Sequence, residues 1–148
     1  MHYENPKPVV GCVVEHEGEI LLCRRAIEPR YNYWTVPAGF MELGETLEQA
    51  AARETREEAC AEVQLDNLLA VVDVPHAGQV HVFFRGTLID GVHSAGDESL
   101  DSKLFAPEEI PWDEIAFPSG VIALQRYLKY MDEGEESVHY TQAERLKL

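Results

Sequence analysis

Two short runs rich in β-branched and aliphatic side chains, residues 9–14 and 20–23, flank the polar stretch Glu15-His16-Glu17-Gly18-Glu19. That pattern predicts a β-hairpin. Residues 33–36, Tyr-Trp-Thr-Val, predict a third extended piece, stopped by Pro37, Ala38 and Gly39. Residues 46–61 hold Ala, Glu, Gln and Arg with no Gly or Pro, and predict a helix. Thr46 followed by Gln49 has the spacing of a capping box. Two strands are expected over residues 68–74 and 79–89, joined through Pro75-His76-Ala77-Gly78. In the second, Val80, Val82, Phe84 and Leu88 alternate with His81, Arg85 and Thr87, as in a half-buried strand. A polar loop over residues 95–101 leads to a short strand at 104–106. After Pro118, the residues Val121, Leu124, Leu128 and Met131 recur at helical spacing. The order predicts an α/β or α+β domain over residues 1–131, with a mixed sheet and a polar, peripheral tail over 132–148.

The first helix carries its acids on an unexpected face. On a wheel of about 100° per residue, Leu47, Ala50 and Ala51 make an apolar stripe. Glu54 and Glu58 extend that stripe, with Glu57 at its edge. A solvated face would account for Glu48 on the flank, but not for acids where the helix should pack inward. Arg53 and Arg56 are expected outside the middle of this cluster. Carboxylates three and four residues apart repel one another, and more strongly when buried. A hard divalent cation relieves that repulsion, since Mg²⁺ prefers carboxylate oxygen, water and phosphate.

Composition points the same way. The chain has 148 residues, with 27 Asp and Glu against 12 Lys and Arg, a formal charge of −15. Such a chain repels nucleic acid and anionic membranes, so an anionic substrate needs a cation between it and the protein. No apolar run reaches the roughly 18 residues of a membrane span, and no signal peptide is expected. Three scattered cysteines, Cys12, Cys23 and Cys60, support neither a disulfide framework nor a zinc site, and suit a cytoplasmic setting.

Gly39, Glu45 and the run Arg53-Glu54-Thr55-Arg56-Glu57-Glu58-Ala59-Cys60-Ala61 resemble the Nudix hydrolase signature, G-x5-E-x7-R-E-U-x-E-E-x-G-U with U aliphatic. Six fixed positions match at the correct spacing. Thr55 and Ala61 stand where an aliphatic is usual, and Cys60 where glycine suits a left-handed helix exit. Further likeness, in residues 3–7, 22–26, 33–42 and 110–112, is to a subgroup that hydrolyses FAD and ADP-ribose. Many members of that subgroup carry a zinc ribbon ahead of the His-Tyr-x-Asn-Pro segment; none is expected here.

The resemblance implies an α/β/α sandwich around a mixed sheet. It implies metal-dependent hydrolysis of a nucleoside diphosphate linked to another moiety. Glu54, Glu57 and Glu58 would hold Mg²⁺ or Mn²⁺, with a backbone carbonyl near Ala38-Gly39. Arg53 would pair with Glu45 to hold the loop against the helix. The general base would be Glu54, or Glu98 on the later loop, with Glu58 also in the catalytic set. Candidate substrate contacts are Arg24, Arg25, Trp34 and Phe40. A homodimer is expected, as in many members. The alternatives are a nucleoside triphosphate pyrophosphohydrolase and a non-catalytic sensor of ADP-ribose-like metabolites; sensors can lose box acids, and here all three remain.

Overall fold

The computed structural model describes residues 4–134 and 137–144, so Tyr3, residues 135–136 and the last four residues of the expected tail lie outside the described part. Its strands are β1 (Lys7–His16), β2 (Glu19–Arg25), β3 (Trp34–Thr35), β4 (Ala38–Phe40), β5 (Val63–Val74), β6 (Gln79–Leu88), β7 (Ser99–Phe105) and β8 (His139–Gln142). Its helices are α1 (Leu47–Ala59) and α2 (Pro118–Glu133), with three single 3-10 turns.

The expected hairpin forms. β1 and β2 pair antiparallel, with Val14 opposite Leu21, around a turn in which Glu17 and Gly18 both take positive φ. The same edge of β1 then pairs with β4, Val10 lying opposite Gly39. Its other edge runs parallel to β6, from Lys7–Gln79 to Glu15–Thr87. The sheet is mixed, in the order β3-β2-β1-β6-β5-β8, with β7 added to β2.

Strand pleating divides the core into two layers. Val10, Cys12 and Val14 of β1 join Leu21, Val82 and Phe84 against Ala50, Ala51 and Ala59 of α1. On the other face, Val13, Ile20, Leu22, Val72 and Phe83 pack against Ala123, Leu124 and Tyr127 of α2. One helix therefore covers each face, which is the α/β/α sandwich.

Several local expectations change. Ala38 and Gly39 do not simply stop a strand; they belong to β4, because β1 offers its free edge there. β6 is a central strand rather than a half-buried one: Phe83 is buried on the face opposite Phe84, and His81 is half-buried. β5 begins at Val63, earlier than expected, and crosses two register irregularities around Leu68. β7 takes in residues 99–101, expected as loop. The stretch expected as a polar tail contributes β8, parallel to β5, and buries Ala143 in the core. In α2, Leu124 is buried, whereas Met131 is 52% exposed.

The capping box is formed: Gln49 N donates to Thr46 Oγ1 at 3.1 Å and Thr46 N donates to Gln49 Oε1 at 2.9 Å. At the other end, Cys60 takes the left-handed exit that glycine usually provides, at φ 48°. A side chain there costs about 1 kcal/mol. Cys60→Gly should therefore raise stability by about 0.5 kcal/mol, after glycine's greater unfolded-state entropy is subtracted. Urea denaturation checks this; a lower midpoint would mean that the Cys60 side chain packs better than it strains.

Candidate active site

Capping and burial place the acids of α1. The helix starts at the capping box and lays Ala50 and Ala51 on the sheet, which turns Glu54 inward next to β4. Thr55 stands at an aliphatic position yet is fully buried, because its Oγ1 donates to Ala51 O at 2.9 Å. Arg53 is the hub. Its Nε and Nη2 grip Glu45 at 2.7 and 3.0 Å, Nη1 reaches Glu54 at 2.9 Å and Glu57 at 3.2 Å, and Nη2 also donates to Phe40 O at 3.0 Å. This corrects the wheel, which set Arg53 outside the cluster: its long side chain folds back over the acids. Arg56 does lie apart, paired with Glu62 at 2.8 Å. The two hydrogen bonds donated by Arg53 hold the Glu45 carboxyl below the usual range.

Glu54 and Glu58 meet the backbone of β4. Ala38 N donates to Glu58 Oε2 at 2.8 Å. A Cβ on Gly39 would stand 2.3 Å from the Glu54 carboxylate, so only glycine admits that approach. Burial pushes the Glu58 carboxyl up to about 8, assisted by the nearby charges of Glu54 and Glu98 and opposed by the Ala38 hydrogen bond. Burial also raises Glu54, against the pull of Arg53. Glu57 is exposed and, among the described residues, held only by Arg53.

The loop bearing Glu98 is fastened to the end of α1. Gly96 N and Ser99 Oγ both donate to Glu58 O, at 3.0 and 2.9 Å, and Ser94 N donates to Ala59 O at 2.8 Å. Gly96 passes so close to the backbone of Glu57 that a Cβ would collide with its carbonyl. Glu98 itself is exposed, and Ala26 N donates to its carbonyl at 2.9 Å.

Beside β4 opens a largely apolar cavity of about 500 Å³. Phe40, Phe83 and Phe117 line it with Val9, Val36 and Val74. Of the sequence candidates, Arg25, Ala38, Gly39 and Phe40 reach its wall, and Arg24 and Trp34 do not. Arg24 turns to Asn32 O at 3.2 Å. Trp34 is buried in the core, edge-on to Phe105 at 4.9 Å between ring centroids. Arg25 stacks over Phe117 at 4.9 Å and lies within the field of Glu58 and Glu98. The cavity wall also carries His76, Gln79, His81 and Ser119. No pattern in the sequence marks them as a site: the parallel pairing of β6 with β1 brings Gln79 and His81 there, and the start of α2 brings Ser119.

The donor chemistry suits a hard divalent cation: two carboxylates, both pushed up by burial, repel each other against the backbone of β4. Among the described residues, no three His, Cys, Asp or Glu side chains converge on one point in this arrangement. The reason is local, since Arg53 draws Glu54 and Glu57 toward itself and Ala38 N holds Glu58. Glu57, exposed, is the arm with room to swing.

A family model described as NUDIX domain matches residues 5–125. The ADP-ribose pyrophosphatase of Methanocaldococcus jannaschii is 30% identical over 113 residues, covering 74% of this chain and 67% of that protein. The NAD-capped RNA hydrolase NudC of Edwardsiella ictaluri is 38% identical over 102 residues, covering 69% and 37% respectively. The chain thus spans two thirds of the first relative's length and little over a third of the second's. Among solved structures, a NUDIX hydrolase from Nitrosomonas europaea superposes with a TM-score of 0.94 at 47% identity, over 97% of this chain and 82% of that one. The NUDIX domain of Shewanella oneidensis NrtR, solved with ADP ribose, superposes with a TM-score of 0.71 at 17% identity, over 87% and 90%, and shows the fold alone.

Proposed function

The chain belongs to the Nudix family, and from that premise we propose that it hydrolyses the pyrophosphate bond of nucleoside diphosphate derivatives such as ADP-ribose or FAD, with Mg²⁺ or Mn²⁺. One observation carries this reading: Glu54 and Glu58 stand against β4, whose Ala38 and Gly39 also form the wall of a cavity that Arg25 enters. Acids and an apolar cavity are thus joined through three residues of backbone, with Arg25 of β2 at the cavity wall.

Glu54, Glu57 and Glu58 would hold the divalent ion, with a carbonyl of the Ala38–Gly39 segment. When bound, that ion supplies Lewis-acid neutralisation of the pyrophosphate. Arg53 fixes Glu45 and Glu54, so the loop and the helix move as one piece. Arg25 meets a phosphate oxygen, and the phenyl rings of the cavity exclude water from the organic part of the substrate. Glu98 takes the proton from the attacking water, on a loop pinned to the Glu58 carbonyl. The water oxygen bonds to one phosphorus, the bridging P–O bond breaks, and the bridging oxygen leaves with the other phosphate. ADP-ribose gives AMP and ribose 5-phosphate; FAD gives AMP and FMN.

A substrate panel with Mg²⁺, read by chromatography of the phosphate products, tests this. Turnover of ADP-ribose or FAD to AMP is expected, and loss of at least about 10²-fold in excess EDTA. Undiminished hydrolysis in EDTA, or brisk ATP hydrolysis with ADP-ribose and FAD inert, would contradict the proposal.

A further inference from the structure

The wall of the cavity holds a hydrogen-bonded chain that the pyrophosphate chemistry does not use. His81 Nδ1 lies 2.6 Å from Ser119 Oγ, and His81 Nε2 lies 2.7 Å from Gln79 Oε1. Ser119 is 3% exposed, at the second residue of α2, while Gln79 and His81 are half-buried on β6. Gln79, His81 and Ser119 all line the cavity.

We propose that Gln79, His81 and Ser119 form a base-reading edge, which selects a neutral heterocycle presenting a hydrogen-bond donor beside an acceptor, as a nucleobase does. The inference rests on the hydrolysis reading only for the phosphate end of the ligand.

The chain's composition fixes what it offers. If His81 carries its proton on Nε2, it donates to Gln79 Oε1 and accepts from the Ser119 hydroxyl. Gln79 is then left with amide N–H donors, and Ser119 with an acceptor lone pair. The other tautomer, with the Gln79 amide turned over, reverses all three roles. Either way the wall presents one donor and one acceptor, and imidazole couples them. Burial keeps this imidazole neutral, lowering its pKa to about 4, so the edge carries no charge to favour phosphate.

The residues of the wall suit the parts of a nucleotide. Arg25 stands toward the acids of α1 and suits phosphate. Phe40, Phe83 and Phe117 give apolar and aromatic surface for a flat ring. His81 lies across Val9 from Phe40, so a ring held by the phenyl groups would leave the polar atoms of its rim unpaired without this edge. Leaving such atoms unpaired is what makes hydrogen-bonding sites selective.

The test is calorimetric binding of AMP, purine riboside 5′-monophosphate and ribose 5-phosphate in Mg²⁺ at pH 7.5. Purine riboside keeps the ring and its nitrogen acceptors but lacks the amino donor. AMP is expected to bind about tenfold or more tighter than either. The preference over purine riboside 5′-monophosphate should shrink to about twofold in whichever of Gln79→Leu and Ser119→Ala removes the acceptor for the amino group, while the other variant weakens both nucleotides alike, with ribose 5-phosphate affinity unchanged in both. With ADP-ribose as substrate, both variants should raise KM while kcat stays near the parent's. Equal affinity of the parent for AMP and purine riboside 5′-monophosphate overturns the inference without any variant. So does full preference retained in both variants. A preference for AMP without hydrolysis of ADP-ribose or FAD would instead remove the hydrolysis reading and leave the base-reading edge standing. Hydrolysis without that preference would do the reverse.

Discussion

Glu58→Gln should lower kcat by about 10² or more and, in the same molecule, make the metal-free protein more stable at neutral pH. Both effects come from one carboxyl. Its pKa is about 8 in the folded chain, above the ordinary value of 4.5. Below pH 4.5 both states hold the proton and the group is neutral to folding. Between 4.5 and 8 the unfolded chain releases the proton while the folded chain keeps it, so stability falls as pH rises. Above 8 the loss is complete. Glutamine has no proton to lose, so the variant should gain on the parent by roughly 1–3 kcal/mol near pH 8, and by little at pH 4. Paired urea titrations across this range check it, because every other charge of the chain is common to both proteins. A parent and variant with parallel stability curves would show that Glu58 is well solvated.

The second large effect is expected at a residue with no side chain. Gly39→Ala places a methyl group 2.3 Å from the Glu54 carboxylate, well inside contact distance. β4 is pinned to β1 on one side and Arg53 grips Glu54 from the other, so the carboxylate has to move. A displacement of about 1 Å at a reacting group costs about 10² in rate. Turnover should fall by that order. Melting temperature should change less than for a core truncation, because no buried apolar contact is removed. Near-parental turnover in a folded Gly39→Ala protein would mean that Glu54 is not held where the chemistry occurs.

What was legible in the sequence was local and periodic. The capping box, the hairpin turn and the acids trespassing on the apolar stripe of α1 all follow from spacing within one element, and each has a counterpart in the structure. Pairing was not legible. Pro37-Ala38-Gly39 has the composition of a breaker, and only the free edge of β1 makes a strand of it. β8 is polar and short, and gains its place from β5 and from burial of Ala143. Arg53 was misplaced because a helical wheel locates Cα directions, whereas a long side chain carries its guanidinium back over its neighbours. The roles of His81 and Ser119 lay hidden for a different reason. They are 38 residues apart in the chain, and only the sheet order and the start of α2 bring them within 2.6 Å. Trp34 and Arg24 show the converse: residue types suited to a ligand that the fold spends on its own core and turns.

The central claim is that the carboxylates of α1 form a metal site coupled to the pyrophosphate chemistry. Calorimetric titration of Mg²⁺ into the metal-free protein at pH 7, run in two buffers of different ionisation enthalpy, tests it most directly. A cation bound by Glu58 displaces the proton that burial keeps there, so the parent should bind Mg²⁺ saturably and release close to one proton per ion. Glu58→Gln should bind at least about tenfold more weakly and release none. Equal binding by parent and variant, or binding by the parent without proton release, would contradict it.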